Sequence, residues 1–324
     1  MKRMQKIALA AVIAISPLFF SCRSLLVNVV STSLSGANKN GVPSKQKKSD
    51  SNPMIAITGE TDVTLVGDFF PTVLKMYELL QTANPRHLGL MTMTGSLNVM
   101  YANAFVAAPA ESMPNEEYDK QHDEFERAKL HYMRGRDLCL NALDGRHKGF
   151  LDGITSSDEA AVARAVAMID KNDVDDAYWA GAGWLGAFSL DPLNPDLLGN
   201  ISVPAMLLER AAALDADYSD GAIWDVLCNF YVSAPPDFGG DYERGLYCYE
   251  QALRASDGAT PGPYVTYAEA VCIPLGDEAG FDEAIAKALA INPDDNPSSR
   301  LMTTISQRKA KQLLKNKGDY FLEW

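Results

Sequence analysis

The 324-residue sequence predicts an all-α fold, and two observations carry this prediction. From Thr61 onward, apolar residues recur with a period near 3.6, which is typical of amphipathic helices, and no long alternating run predicts a strand. Proline and glycine fall between these periodic segments, as at residues 235–236 and 239–240, where they are expected to end helices. With 47% apolar residues, the chain can bury a sizeable core.

The predicted helices form pairs, in which an aromatic-rich helix precedes a helix rich in Ala and Leu. In chain order the pairs are residues 88–106 with 125–143, 178–190 with 203–213, 222–232 with 242–255, and 264–273 with 281–291. The last three second helices align at Glu209, Glu250 and Ala286, in steps of 41 and 36 residues. Tetratricopeptide repeats step by about 34 residues, and each pair must stack on its neighbours to bury its apolar face. We therefore predict an α-solenoid of about four degenerate tetratricopeptide-like helix pairs.

The N-terminus has the pattern of a secretory signal. Three basic residues precede an apolar run at residues 7–20, which is shorter than the roughly 20 residues that span a bilayer. Ser21 directly before Cys22 resembles a relaxed bacterial lipobox, so we predict cleavage before Cys22 and a covalent diacylglyceryl and acyl lipid on that residue. The alternative is an ordinary cleaved signal with an incidental cysteine.

The chain is therefore divided into three regions. We predict a signal peptide at 1–21, the lipidated cysteine with a flexible tether at 22–60, and a tetratricopeptide-like helical domain at 61–324. Residues 52–324 carry 21 basic and 41 acidic residues, a net charge of −20. This charge argues against a nucleic-acid partner and against an anionic membrane surface, so we expect the membrane to be contacted through the lipid anchor only.

Several motifs suggest chemistry but have a simpler interpretation. Gly181, Gly183 and Gly186 match the dinucleotide pattern, which needs a preceding strand, whereas here a helix surrounds them, so we predict close helix packing. The acidic run at residues 170–176 lacks the Gly and Glu of a calcium loop and predicts a solvated turn that caps the next helix. Residues 156–159 predict a capping box, with Ser156 as the N-cap.

Metal, cofactor and catalytic chemistry are not expected. The cysteines of the helical region are Cys139, Cys228, Cys248 and Cys272, and their spacing matches no zinc pattern. We predict that they are buried free thiols. The four histidines are too widely spaced for a zinc-protease motif, and the paired carboxylates lie in polar stretches. The sequence therefore predicts no catalytic residue, no metal and no cofactor apart from the lipid on Cys22.

Many short stretches resemble the T-component (TatT) proteins of tripartite ATP-independent periplasmic (TRAP) transporters, in the same order along the chain. The stretches are residues 71–80, 97–106, 142–150 with Lys148 where proline is usual, 176–179, 217–222, 235–241, 264–269 and 300–314. The resemblance extends from about Asp62 to Tyr320. It implies a lipid-anchored, non-catalytic, tetratricopeptide-like protein that forms a homotrimer and binds a periplasmic solute-binding protein, with a hydrophobic solute as the suggested cargo. The expected location is the periplasmic face of a bacterial membrane, the outer rather than the inner one.

Aromatic residues concentrate on the predicted first helices. The candidates for a ligand or partner groove are Tyr101, Phe105, Tyr178, Trp179, Trp184, Trp224 and Tyr231. First helices line the concave face of a tetratricopeptide stack, where partners and extended ligands bind. The rings either line such a groove, which would suit an apolar ligand, or fill the core between the pairs, and the sequence leaves both possibilities open.

Two other functions compete with the transport role. A generic envelope scaffold would use the same groove to bind peptides during complex assembly. A hydrolase with an unrecognised site would instead place convergent polar groups in its largest pocket.

Overall fold

The structure is a computed structural model that describes residues 55–199 and 201–321. Within these ranges the elements are α-helices, short 3-10 helices and two π-helices, and none is a β-strand. The prediction of an all-α fold is confirmed. The predicted signal peptide, the lipidation site Cys22 and nearly all of the tether lie outside the described residues.

The α-helices of the first half are α1 (Ile55–Thr58), α2 (Val63–Ala83), α3 (Leu88–Tyr101), α4 (Ala108–Glu111), α5 (Tyr118–Arg146), α6 (Phe150–Ile154), α7 (Glu159–Met168) and α8 (Val174–Leu190). Those of the second half are α9 (Pro195–Leu198), α10 (Ser202–Leu214), α11 (Ala222–Ser233), α12 (Tyr242–Ser256), α13 (Gly262–Tyr267), α14 (Ile273–Leu275), α15 (Glu278–Ala290), α16 (Arg300–Lys315) and α17 (Lys317–Tyr320). The π-helix Ala102–Ala107 joins α3 to α4, and the π-helix Ala268–Cys272 joins α13 to α14. The 3-10 helices are Asn115–Glu117, Tyr218–Gly221, Pro236–Phe238, Pro293–Asp295 and Pro297–Ser299.

Helices that follow one another in the sequence also pack against one another. Helix α3 packs on α5, α8 on α10, α11 on α12, and α13 on α15, so each predicted pair forms a contacting pair. Neighbouring pairs contact each other where α5 packs on α8, α10 on α11, and α11 on α13. The assignment of these pairs to tetratricopeptide-like repeats of a solenoid, and the domain boundaries, stay predictions.

Glycine allows the closest of these contacts. A Cβ on Gly183 of α8 would lie 2.9 Å from the carbonyl oxygen of Tyr132 in α5, and a Cβ on Gly181 would lie 2.7 Å from the Leu208 side chain in α10. At Gly186 a Cβ would lie 2.6 Å from the Tyr132 ring. Helix α8 is continuous through all three glycines. The interpretation of this motif as close helix packing is therefore confirmed.

The buried apolar residues form two separate clusters. The larger cluster contains residues of α2 to α12 and includes Leu301 of α16. The smaller cluster lies among α13, the π-helix Ala268–Cys272, α15 and α16, and contains Phe281, Ile285 and Leu313. Helix α16 is therefore the element that contributes to both clusters.

Helix α16 also returns to the start of the helical array. It contacts α1 and α2, and its Lys309 ammonium pairs with Glu111 at the end of α4 at 2.5 Å and with Glu269 at 2.8 Å. Beside this pair, the Ser112 hydroxyl donates to Gln312 Oε1 at 2.5 Å. Helix α16 thus connects the last helix pair to the first helices of the described chain.

Two local expectations can be compared with the structure. The capping box predicted at Ser156 is wrong, because the N-cap of α7 is Asp158, whose carboxylate accepts a hydrogen bond from the Ala160 amide. Ser156 instead accepts from the Asp158 amide and shapes the turn that precedes the helix. The four cysteines of the helical region are buried and not bonded to one another, as predicted.

Candidate functional site

The first group of candidate aromatics lies between α2, α3 and α5. Tyr101 ends α3, and Phe105 belongs to the π-helix that follows it. Phe70 of α2 packs on both, with ring centroids 5.9 Å from Tyr101 and 5.1 Å from Phe105. The Arg127 guanidinium of α5 donates to the Tyr101 hydroxyl and lies over its ring, 5.4 Å from the centroid. Tyr101 is therefore held on both sides, while Phe105 is only partly buried.

A second group lies at the start of α8. Tyr178 and Trp179 are adjacent, and their ring centroids are 4.7 Å apart in an edge-on arrangement. Tyr218 packs on Tyr178 at 5.1 Å, and its hydroxyl donates to Asp175 Oδ1 at 2.5 Å. Burial raises the pKa of the Tyr178 phenol, so this ring is neutral and enclosed. Trp179 and Tyr218 are the partly buried members of the group.

Trp224 and Tyr231 on α11 have structural partners in the neighbouring elements. The Trp224 indole donates to the Ala216 carbonyl at 2.8 Å. The Tyr231 hydroxyl donates to Glu209 Oε1 of α10 at 2.5 Å, and the Arg244 guanidinium of α12 lies 4.6 Å from its ring centroid. These contacts join α11 to the helices on either side.

The seven candidates therefore differ in how much surface they present. The buried rings, with at most 9% exposed, are Tyr101, Tyr178, Trp184 and Tyr231. The partly buried rings are Phe105, Trp179 and Trp224. Ring contacts join Tyr101 to Phe105 and Tyr178 to Trp179. The assignment of the set to a groove stays a prediction, and the three partly buried rings are those with surface left for a ligand.

Trp184 borders a pocket of about 300 Å³ between α5, α8 and the short helices α6 and α9. Its lining residues are Arg136, Asp137, Leu140, Asn141, Leu151, Thr155, Trp184 and Asp196. The Arg136 guanidinium lies 4.9 Å from the Trp184 ring centroid and donates from Nε to Asp137 Oδ1 at 2.8 Å. The pocket has apolar walls and carries side chains of both charges. A pocket of this volume and lining suits a small polar molecule held by hydrogen bonds.

A buried ion network lies at the junction of α3, α5 and α8. The Arg146 guanidinium pairs with Asp176 and, at 3.3 Å, with Asp173, while Thr92 donates to Asp176 Oδ1 at 2.7 Å. His147 Nε2 lies 2.7 Å from the second oxygen of Asp173. Burial raises the pKa of Asp176 to about 6, against the opposing effects of Arg146 and Thr92. Both aspartates are almost fully buried.

The prediction of a solvated acidic turn at residues 170–176 is therefore wrong for Asp173 and Asp176. Acidic residues near a helix start are usually exposed, and the sequence pattern does not reveal a partner 27 to 30 residues away. The adjacent Arg146 and His147 were the available signal, since they directly follow an apolar stretch at the end of α5.

Asp225 is a partly buried acid that the sequence did not single out. Its Oδ1 is buried and has no hydrogen-bond partner among the described residues, and the same holds for Thr260 Oγ1 nearby in the chain segment before α13. A Cβ on Gly262 of α13 would lie 2.8 Å from Asp225 Oδ2. Burial raises the pKa of Asp225 to about 6, opposed by the hydrogen bond from Thr266. This carboxyl can accept a hydrogen bond from a ligand or water at the contact of α11 with α13.

The described part of the chain, residues 55–199 and 201–321, contains neither a metal-binding cluster nor a helix that could span a membrane. No group of three or more His, Cys, Asp or Glu side chains there is arranged to hold a metal ion. No helix there is long and apolar enough to cross a membrane.

The fold and these sites define an all-α protein in which paired helices present partly buried aromatic rings and a small pocket. Comparison with protein families matches residues 59–321 to the TRAP transporter T-component family. The chain belongs to this family, as its resemblance at the sequence level indicated. Membership assigns the chain an accessory role in transport and implies association with other components of a TRAP system.

A relative of similar length exists in Treponema pallidum (strain Nichols). It is 39% identical over 275 residues, which cover 85% of each chain, and it is described as an uncharacterized protein. The two chains therefore share most of the helical region.

Proposed function

We propose that this protein is a non-catalytic, periplasm-facing accessory component that docks a periplasmic solute-binding protein and holds or passes a hydrophobic solute. The observation that carries the proposal is the family match over residues 59–321. T components act beside other transporter subunits, so the mechanism is docking and solute handover rather than covalent chemistry.

The partly buried rings are the proposed contact points for an apolar solute. Trp179 and Trp224 lie on the first helices of two successive pairs, and Phe105 lies in the π-helix that continues α3, the first helix of the pair before them. Each of the three residues is partly buried. Aromatic surface of this kind gains free energy when an apolar molecule displaces water from it. The strongly acidic helical region would favour a solute-binding partner with a basic contact surface, so docking should weaken as salt is raised.

Cys22 is the proposed anchor on the periplasmic face of a membrane, the outer rather than the inner one. Two or three acyl chains hold a protein stably, because a single chain binds only marginally. Metabolic labelling with a radioactive fatty acid tests this point. The full chain should incorporate the label and its Cys22→Ser variant should not, and labelling of both would refute this anchor.

A homotrimer is the proposed assembly. The alternative function is a generic envelope scaffold for protein-complex assembly, in which the same surface binds segments of several unrelated proteins. A hydrolase stands as a further alternative, and the polar lining of the Trp184 pocket is the feature that would suit it.

Affinity purification of the tagged full chain from gently solubilised envelopes tests the proposal. A solute-binding protein should be recovered in stoichiometric amount, and the Trp179→Ala, Trp224→Ala double variant should recover at least about tenfold less of it. Tyr118→Ala is the matched control, since Tyr118 is 66% exposed and outside the aromatic groups. Recovery of many unrelated envelope proteins would favour the scaffold. Recovery of no partner would contradict the docking role.

A further inference from the structure

Helix α2 is apolar on two faces, and the structure covers only one of them. Its inner face is buried against the rest of the chain through residues such as Val66, Phe70 and Val73. On the outer face, Leu65 is 57% exposed, Phe69 50%, Met76 55% and Leu79 70%. These four residues and the exposed Thr72 form a surface that we call the α2 seam (Leu65, Phe69, Thr72, Met76 and Leu79).

The spacing of the α2 seam is that of a helix–helix contact. Its residues follow one another at intervals of four, three, four and three, which is the alternation of the d and a positions of a heptad repeat. The seam presents on the order of 400 Å² of apolar surface, the size of the largest apolar patch on a typical soluble monomer, and such a patch is often functional. An isolated exposed leucine would need no partner, but a continuous seam over four helical turns predicts a second helix.

We propose that the α2 seam packs against the α2 seam of a second copy of this chain, with the two helices antiparallel. In antiparallel pairing, a positions lie opposite d positions. One register places Leu65 opposite Met76 of the second copy and Phe69 opposite its Thr72, and the two-fold axis repeats both contacts. Each Phe69 ring then faces the smaller Thr72 side chain of the other copy, which leaves room for the ring at the centre of the contact.

Charge favours the same register. Asp68 and Lys75 are both exposed and both occupy the g position beside the seam. In the proposed register Asp68 lies beside Lys75 of the second copy, and the two-fold axis makes this pair occur twice. Lys75 already bonds Glu78 of its own helix at 2.5 Å, and its ammonium has further hydrogens to donate. In a parallel pairing the g positions would instead flank the e positions Val66 and Val73, which are buried within the chain, so Asp68 and Lys75 would not meet.

The contact is small and therefore reversible. The paired seams would bury at most about 800 Å² of apolar surface in total, which is below the size of stable protein interfaces. A two-fold contact produces even-numbered assemblies, so it is distinct from the interface of the proposed homotrimer. With a three-fold contact elsewhere on the surface, it would join two trimers into a hexamer.

Disulfide cross-linking between two tagged forms of the full chain tests the pairing. One form carries Leu65→Cys and the other Met76→Cys. The proposed register brings these positions within disulfide reach, so the mixed dimer should form, whereas two copies of Leu65→Cys would lie about 17 Å apart and should not cross-link. The four buried native thiols of the helical region do not compete. In the matched control, the first form carries Leu193→Cys instead of Leu65→Cys. Leu193 is 78% exposed and lies outside the seam.

Charge exchange supplies the second readout. Asp68→Lys or Lys75→Asp alone should lower the yield of the mixed dimer about tenfold, because like charges then face one another twice. The double exchange should restore the yield. Equal cross-linking by the Leu193→Cys control would overturn the proposal. The proposal would also be overturned if the double exchange did not restore the yield, or if two copies of the Leu65→Cys form cross-linked to each other.

These outcomes are separate from those of the docking role. If Leu79→Ser dissolved a trimer while the mixed dimer failed to form, the seam would belong to the three-fold interface and the antiparallel pairing would be wrong. If an added solute-binding protein alone protected the seam cysteines from a thiol reagent, the seam would be the docking face. Recovery of the solute-binding protein with the tagged chain tests the proposed function. That test can be made with an intact seam or with a mutated one, so it is separate from the test of the pairing.

Discussion

At the scale of single residues, the buried charges matter most to this fold. Arg146, Asp173 and Asp176 are enclosed at the contact of three helices, where water cannot solvate an unpaired charge. Both aspartates take their counter-charge from the same Arg146 guanidinium. His131 is a different case, since its half-buried ring is kept neutral among the cationic side chains of Arg127 and Arg134.

Replacing Arg146 should therefore destabilise the protein strongly. We expect Arg146→Met to lower the free energy of unfolding by about 3–5 kcal/mol, because two buried carboxylates lose their counter-charge. Urea denaturation followed by circular dichroism measures this loss. Arg164→Met is the matched control, since Arg164 and Asp158 form a pair with more than half of each side chain exposed, and it should cost less than about 0.5 kcal/mol. Equal losses in both variants would contradict the role of the network.

His131 should contribute to loss of stability in acid. Burial and then the charges of Arg134 and Arg127 lower its pKa to about 4, while an unfolded histidine has a pKa near 6.5. Between these values the unfolded chain binds a proton that the folded chain does not, so the free energy of unfolding falls as pH falls from about 6.5 to 4. His131→Gln removes this contribution. The drop in stability between pH 7 and pH 4.5 should be smaller in the variant, and an unchanged drop would show that His131 titrates normally.

At the scale of helices, close packing depends on positions without a side chain. Gly95 and Gly135 bring α3 and α5 together, since a Cβ on Gly135 would lie 2.7 Å from the carbonyl oxygen of Gly95. Gly183 does the same for α5 and α8. These helices carry much of the larger cluster, so a small shift between them moves many contacts.

Adding one methyl group at this contact should be unfavourable. Gly183→Ala gains helix propensity but places a Cβ 2.9 Å from the Tyr132 carbonyl and 3.0 Å from Val99, both in well-packed surroundings. We expect a net loss of about 1–2 kcal/mol in the free energy of unfolding. Gly318→Ala is the matched control, because no atom lies within 4 Å of a Cβ there. Thermal unfolding of the two variants compares them directly, and a stabilised Gly183→Ala would rule out the tight contact.

At the scale of the whole molecule, the two apolar clusters divide the protein into unequal parts. The smaller cluster is formed by residues of α13, the π-helix Ala268–Cys272, α15 and α16. Because Leu301 of α16 also belongs to the larger cluster, the part that can open without disrupting the larger cluster is α13 to α15. Contacts of α16 with α1 and α2 hold that helix in place, and the ion pair of Lys309 with Glu269 opposes such opening.

A cavity in the smaller cluster should loosen the C-terminal part alone. Phe281 is fully buried there, and Phe281→Ala should cost about 3–5 kcal/mol within that cluster. Hydrogen exchange should accelerate in α13 to α15 while α5 and α8 keep their protection. Phe150→Ala, an equally buried position in the larger cluster, should instead accelerate exchange in α5 and α8. Uniform acceleration by Phe281→Ala would show that the two clusters unfold as one unit.

The local features of this protein could be predicted from the sequence. Apolar periodicity identified the paired helices, because it depends only on residues within a few turns of one another. The glycines of α8 were correctly interpreted as packing sites, since the surrounding pattern was helical on both sides. The order of many short stretches also identified the family, which the match over residues 59–321 confirms.

Only the tertiary structure decided which side chains meet across the chain. It paired Arg146 with Asp176, separated the buried Tyr231 from the partly buried Trp224 on the same helix, and returned α16 to α1 and α2. It also left the outer face of α2 exposed, although that face is as apolar as many buried ones. The physical reason is that periodicity gives the direction of each side chain relative to its own helix, whereas burial and charge pairing depend on which other helices pack against it.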